Sequence, residues 1–113
     1  MLPLFLLALA CTSAADKRID RTITLTVDNQ TGNQLWVFDY TGCGEDDWYY
    51  VIASDEYVAN GDKVSERNLD PGCYEIFVED EEGCYAETDT GNVRGGQKYT
   101  WTLRSDDLYC PWF

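Results

Sequence analysis

The side chains best suited to chemistry in this sequence are cysteines and clustered carboxylates. The body of the chain contains four cysteines, Cys43, Cys73, Cys84 and Cys110, separated by 30, 11 and 26 positions. Zinc and thiol-redox sites need the short Cys-x-x-Cys spacing, which these gaps lack. An even number of cysteines in a small domain is instead typical of disulfides formed in an oxidising compartment. The spacing therefore predicts two disulfides and an extracytoplasmic location.

Four cysteines allow three pairings, and strand direction favours one of them. Cys73 begins one predicted strand and Cys84 begins the next, antiparallel strand, so the two lie about 23 Å apart along the strands. Bridged Cα atoms lie within about 7 Å of each other, which disfavours this pair. If residues 48–59 count as one strand, Cys43 falls beside Cys73 and Cys110 beside Cys84. We therefore predict the disulfides Cys43–Cys73 and Cys84–Cys110.

The carboxylates are concentrated in the middle of the chain. The whole chain of 113 residues has 21 acidic and 8 basic residues and a net charge of -13. Residues 39–89 contain 16 of the acidic residues but only two basic ones, a net charge of -14. Such clusters bind calcium in some proteins, although the DxDxDG calcium loop is absent here. The alternative is that they are solvated turns that keep the protein soluble. We expect no cofactor and no metal site, with calcium as the alternative ligand.

Composition also excludes several classes of function. Nucleic-acid binding needs clustered lysine and arginine, which the acidic middle segment lacks. The chain has no histidine, which removes histidine-based catalytic triads and the common zinc sites. No nucleophile and base can be paired, and the spacing of the acids does not indicate a glycosidase pair. We therefore predict a protein that is not an enzyme and has no catalytic residues.

Aromatic residues suggest two contact surfaces. One is an aromatic run beside an acidic loop, and its candidate binding residues are Trp48, Tyr49, Tyr50, Glu45, Asp46 and Asp47. The other is the segment 34–40, which is apolar on both faces of a strand. Alternation places Leu35 and Val37 on one face and Trp36, Phe38 and Tyr40 on the other. We expect the apolar tail 109–113 to cover this aromatic face; the alternative is an exposed binding platform.

The elements that must position these residues are β-strands. From Thr22 onward the apolar residues recur with period two, as in Ile23, Leu25 and Val27. Predicted strands cover 22–28, 34–40, 48–53, 56–59, 63–69, 73–80, 84–89 and 97–104, with Gly, Pro and Asn turns between them. No ten-residue window is convincingly helical. The fold class predicted is all-β, a small antiparallel β-sandwich of about seven strands, with a partly open barrel as the alternative.

The N-terminal segment is typical of an export signal. Residues 1–10 are uncharged and apolar, too short for the roughly 20 residues of a membrane span but suited to a signal peptide. Leu7-Ala8-Leu9-Ala10-Cys11 resembles the lipobox of bacterial lipoproteins, with Ala8 where that motif usually has Leu. The resemblance implies cleavage before Cys11, lipidation of Cys11 and an outer-membrane location. The alternative is ordinary signal cleavage after Ala10 or Ala15, which gives a secreted or soluble periplasmic protein.

The domain boundaries follow from that interpretation. Residues 1–10 form the signal peptide, 11–21 a tether and 22–113 a single disulfide-braced domain. The stretch Leu69–Gly83 resembles the turn-strand-turn of bacterial Ig-like and prealbumin-like sandwiches. The wider pattern, with residues 27–32 and Trp48, is similar to small secreted or lipoprotein β-sandwiches of bacteria. That resemblance implies a fold but does not carry over any active-site residues.

Together these features predict a non-enzymatic, lipid-anchored β-sandwich with a structural or protein-interaction role in the cell envelope. Its expected partners are the membrane, through the lipid anchor, and an envelope protein, but not nucleic acid, and the domain is expected to be a monomer. Two alternatives remain. One is a calcium- or carbohydrate-binding module, and the other is a secreted inhibitor of a basic hydrolase, attracted by the acidic segment.

Overall fold

The computed structural model describes residues 21–112, and it confirms the all-β sandwich. The predicted signal peptide 1–10, Cys11 and all but the last residue of the tether lie outside the described residues. Seven strands are followed by a short 3-10 turn, Ser105–Asp107. The strands are β1 Ile23–Gln30, β2 Leu35–Gly42, β3 Tyr49–Tyr50, β4 Lys63–Leu69, β5 Gly72–Asp80, β6 Tyr85–Val93 and β7 Lys98–Arg104. No helix within residues 21–112 has the length and apolar character to cross a membrane.

The strands form two sheets. The three-stranded sheet has the order β4-β1-β7 and the four-stranded sheet the order β3-β2-β5-β6. All strand pairs are antiparallel except β1 and β7, the first and last strands, which run parallel. Both sheets are open in strand order, and the described residues form two sheets with no closed barrel.

The core lies between the two sheets and follows the period-two pattern of the sequence. Ile23, Leu25 and Val27 on β1 are fully buried, and Ile76 and Val78 on β5 face them. The rest of the core includes Leu35, Phe38, Ala86, Val93 and Leu103. Burial of these apolar side chains, at roughly 1.5–3 kcal/mol for each of the larger ones, is what holds the sheets together.

The expected strands at 48–53 and 56–59 are mostly absent. Only Tyr49 and Tyr50 pair with β2, and Val58 makes a single bridge to Leu35. Residues 53–57 are exposed. A segment without buried alternating side chains gains little from pairing, which explains why the strand does not continue.

The prediction that Trp36, Phe38 and Tyr40 share one face of β2 is wrong. The register between β2 and β5 shifts between Leu35 and Val37, which marks a β-bulge. A bulge adds one residue and reverses the alternation beyond it. Leu35 and Phe38 are therefore both fully buried, whereas Trp36 is 43% exposed.

The predicted cover by the C-terminal tail is also wrong. Tyr109 pairs with Tyr85 at the start of β6, and the ring nitrogen of Trp112 lies against Gly83. Residues 109–112 therefore pack on β6 and the turn before it, two strands away from β2 in the sheet order.

Two disulfides join the ends of the strands in the pairs that strand direction favoured. Cys43 and Cys73 have Cα atoms 5.4 Å apart, and Cys84 and Cys110 have Cα atoms 4.3 Å apart. The first ties the loop after β2 to the start of β5. The second holds the tail on β6. Two disulfides are compatible with an extracytoplasmic location.

Candidate functional site

The structure separates the predicted binding residues instead of bringing them together. Glu45 and Tyr49 line a cleft at one end of the sandwich. Trp48 lies on the outer surface of the four-stranded sheet, beside Glu75 and Glu87. Tyr50 lies in a third, shallow hollow. Asp46 and Asp47 are exposed. The predicted cluster is therefore divided among three places on the surface, two of which combine aromatic rings with carboxylates.

The first surface is the outer face of the four-stranded sheet. Core residues Ile76 and Val78 face inward, so the residues that alternate with them face outward. The strand register then aligns outward positions across β2, β5 and β6. We name this surface the acidic face; its residues are Asp39, Glu75, Phe77, Glu79, Glu87, Asp89 and the overlying Trp48. Five of these seven side chains are carboxylates and none is basic.

Like charges lie directly opposite each other on the acidic face. Glu75 pairs with Asp89 across β5 and β6. Asp39 lies diagonal to Glu79 across β2 and β5. Directly opposed like charges destabilise a sheet by roughly 0.2–1 kcal/mol a pair. Burial raises the pKa of Asp39, and the charge of Glu79 raises it further. The face therefore keeps a concentrated negative charge at a cost in stability.

Aromatic rings occupy the middle and one side of the acidic face. Phe77 stacks on Tyr85 with ring centroids 5.8 Å apart, and Tyr109 meets Tyr85 edge to face at 5.5 Å. Trp48 is 42% exposed and lines two adjoining hollows of the face, one with Asp39, Phe77 and Glu87. Carboxylates around flat apolar rings suit the long aliphatic stems and charged ends of lysine and arginine.

The second surface is a cleft at the end where β2 finishes and β5 begins. Its volume is about 480 Å³, and its wall includes three tyrosine rings and two carboxylates. We name it the tyrosine cleft; the residues that define it are Tyr40, Tyr49, Tyr74, Glu45 and Asp70. The rings of Tyr40 and Tyr49 stack at 5.4 Å, and Tyr74 meets Tyr40 edge to face at 6.0 Å.

Irregular backbone shapes the tyrosine cleft. The β1–β4 register shifts near Asn68, a cleft residue with a positive φ of 61°. The β5–β6 register shifts between Cys73 and Glu75, on either side of Tyr74. Bulges of this kind re-aim side chains and occur often beside functional sites. The Tyr74 hydroxyl donates a 2.6 Å hydrogen bond to the main-chain oxygen of Asp70, which fixes this ring.

The tyrosine cleft has a negative potential. Burial raises the pKa of Tyr74, and the carboxylates of Asp70 and Glu45 raise it further. Burial also raises the pKa of Tyr40, with a smaller contribution from Glu66. A carboxylate raises a phenol pKa because a phenolate would repel it.

Sequence reasoning found part of each surface. It named Glu45, Tyr49 and Trp48 but missed Tyr74 and Asp70 in the cleft and most of the acidic face. The period-two pattern of β5 places Glu75, Phe77 and Glu79 on one side, so that signal was present. Among residues 21–112, no group of three or more His, Cys, Asp or Glu side chains is arranged to hold a metal ion.

The protein is a small two-sheet β-sandwich that carries the acidic face and the tyrosine cleft. No family model and no curated protein matches the chain. Among solved structures it is similar to the NMR structure of a protein from Eubacterium rectale, with a TM-score of 0.53 and 12% sequence identity. The similarity covers 80% of this chain and 89% of that one. At this identity it shows a shared fold.

Proposed function

We propose that this chain is an exported, non-enzymatic binding domain of the bacterial cell envelope, whose acidic face holds a basic segment of a protein partner. The observation that carries the proposal is the arrangement of five carboxylates around Phe77 and Trp48 with no basic side chain among them. The resemblance of residues 7–11 to a lipobox supports an anchor at Cys11.

Repulsion between neighbouring carboxylates of the acidic face also supports binding of a basic segment. Repulsion between Glu75 and Asp89 destabilises the fold, whereas a bound cationic segment would remove that repulsion. Exposed ion pairs contribute roughly 0.5 kcal/mol each. Three such contacts would therefore change affinity by about tenfold and would attract a basic partner from a distance.

Binding of a fluorescent decalysine peptide, measured by anisotropy at several salt concentrations, tests the proposal. The test variant neutralises three acids of the face: Glu75→Gln, Glu87→Gln and Asp89→Asn. The matched control neutralises three exposed acids elsewhere: Asp55→Asn, Glu56→Gln and Asp62→Asn. Both variants change the net charge equally. We expect the face variant to weaken binding about tenfold and the control to change it less than twofold.

Two results would refute this assignment. Equal weakening by both variants would mean that only net charge attracts the peptide. A neutral peptide of equal length that binds as tightly as decalysine would mean that charge complementarity plays no part. Loss of affinity as salt increases is expected, because the contacts are exposed and screened.

The proposed anchor has a separate test. Intact-mass analysis of the protein purified from its native host should show loss of residues 1–10 and the added mass of acyl chains on Cys11. A Cys11→Ser variant should lose the acyl mass. An unmodified chain that begins at residue 11 or 16 would refute lipidation while leaving export in place.

A further inference from the structure

The geometry of the tyrosine cleft points to a second binding site, and we infer that it binds an organic ammonium group such as that of choline. This site is separate from the acidic face, so it goes beyond the function proposed above. It combines three aromatic rings with carboxylates in one concave surface. None of the described residues that line the cleft is basic.

The rings provide surfaces at two orientations. Tyr49 lies nearly parallel to Tyr40, with 27° between the ring planes, and Tyr74 is inclined to Tyr40 by 64°. An alkylammonium cation is attracted to the faces of aromatic rings by their quadrupoles, and inclined rings can contact several of its methyl groups. Tyr49 is 55% exposed, so one side of the cleft is open to an incoming ligand.

The carboxylates select for positive charge. Glu45 and Asp70 line the same cleft as the rings. Burial raises the pKa of Tyr74, and these two carboxylates raise it further because a phenolate would be repelled by them. A neutral ligand of the same shape would gain the apolar contact but not the attraction to these two charges.

The exposed side chain of Glu45 lies directly against Gly42. A Cβ atom added at Gly42 would lie 2.7 Å from Glu45 Oε2, so glycine is what allows the carboxylate to rest there. The disulfide Cys43–Cys73 and the hydrogen bond from Cys43 N to Cys73 O, at 3.0 Å, join the two sides of the cleft. These links restrict the backbone of the cleft, which therefore loses little freedom when a ligand binds.

The ammonium group could belong to a free small molecule or to a lipid headgroup. The described chain enters the fold at this end, because Ile23 at the start of β1 pairs with Leu69, which lines the cleft. A lipid anchor at Cys11, twelve positions before Ile23, would keep this end of the domain near a membrane surface. Both sources present the same chemistry to the cleft.

NMR titration with choline at constant ionic strength tests the inference. We expect upfield shifts of the N-methyl protons from the ring currents of the tyrosines and half-saturation on the order of 1 mM. The neutral control ligand is 3,3-dimethylbutan-1-ol, which has the same shape without the charge. It should bind at least about tenfold more weakly.

Variants locate the site. Tyr49→Leu and Glu45→Gln should each weaken choline binding about fivefold, and Gly42→Ala should weaken it by displacing the Glu45 carboxylate. These residues are at or near the surface, and circular dichroism would show that the variants fold. Tyr57→Leu, which replaces a 51% exposed tyrosine outside the cleft, should leave choline binding unchanged.

Sedimentation with phosphatidylcholine vesicles, with and without free choline as competitor, distinguishes the two sources. Competed binding to vesicles assigns a lipid headgroup, and binding of choline alone assigns a free ammonium compound. The inference is overturned if choline and the neutral alcohol bind equally, if a neutral monosaccharide binds more tightly than choline, or if Tyr49→Leu has no effect. The triple variant of the acidic face should still bind choline, so failure of one site is distinguishable from failure of the other.

Discussion

Asn29 is fully buried at the end of β1, and its side-chain amide makes four hydrogen bonds. Its Nδ2 donates to the main-chain oxygens of Asn33, at 2.8 Å, and Val58, at 3.0 Å. Its Oδ1 accepts from the main-chain nitrogen of Thr31 at 3.1 Å and from the Thr31 hydroxyl at 2.7 Å. We predict that Asn29→Ala is among the most destabilising single changes outside the apolar core.

The expected loss of stability follows from the hydrogen bonds that each partner of Asn29 would keep after the substitution. The Val58 oxygen still accepts from Leu35 N at 2.9 Å. The Thr31 hydroxyl, once it no longer donates to Asn29, can donate to the Asn33 oxygen, which lies 3.2 Å away. The Thr31 nitrogen would lose its acceptor, which costs about 1–3 kcal/mol for a buried group. The two lost donations add about 1 kcal/mol each. The total is about 3–5 kcal/mol.

Urea unfolding of the oxidised protein, followed by tryptophan fluorescence, measures this change. With a slope of about 1–3 kcal/mol per molar urea, the midpoint should fall by at least about 1 M. Asn92→Ala, at an exposed asparagine, is the matched control and should change stability by less than about 0.5 kcal/mol. A loss below about 1 kcal/mol for Asn29→Ala would refute the reasoning. Asn29→Asp should be worse at pH 7 than at pH 3, because a carboxylate would face two carbonyl oxygens.

Three further predictions concern Asp39 of the acidic face, the buried hydroxyl of Thr41 and the disulfide Cys84–Cys110. Because burial raises the pKa of Asp39, the folded state binds this proton more tightly than the unfolded state and is penalised as pH rises through the folded pKa. Asp39→Asn should therefore raise the melting temperature at pH 7, and the gain should vanish below about pH 4, the range of an ordinary aspartate. Thr41→Val should stabilise the domain by about 1 kcal/mol in urea unfolding, because the Thr41 hydroxyl is buried and has no partner within the described residues; an unchanged midpoint would contradict this. Replacing both Cys84 and Cys110, 26 positions apart, by serine should cost about 3–4 kcal/mol on the chain-entropy model, and calorimetry that shows no loss would contradict it.

The overall architecture was predictable because it depends on local period and on turns. Alternation in β1, β5 and β7 identified the inward residues, and the direction of successive strands was sufficient to favour the disulfide pairs. The faces of β2 were not predictable, because a single bulge between Leu35 and Val37 reverses the side on which Phe38 lies. Nothing in the residue types of that segment specifies a bulge.

The acidic face and the tyrosine cleft were harder to predict than the strands because they combine residues from distant parts of the chain. Tyr40 and Tyr74 meet only because β2 and β5 are neighbours, with Tyr40 opposite Ile76 and Gly42 opposite Tyr74.

The segment Asn29-Gln30-Thr31 shows that a local motif can suggest a site that the fold does not leave accessible. It has the spacing of an N-glycosylation site, but the Asn29 amide is fully buried and both its donated hydrogen bonds are to main-chain oxygens. A local motif can therefore be used entirely for folding.

The disulfides and the acidic face are linked through stability. The Cβ atoms of directly opposed residues such as Glu75 and Asp89 lie about 5 Å apart across a sheet. This distance is well inside the roughly 10 Å screening length of 0.1 M salt, so salt at that concentration does not remove their repulsion. Each disulfide restricts the unfolded chain by about 3–4 kcal/mol, more than one such pair costs. Both disulfides hold the strands of the acidic face, since Cys73 lies on β5 and Cys84 directly precedes β6. The domain can therefore keep a concentrated negative surface because its crosslinks stabilise the strands that carry it.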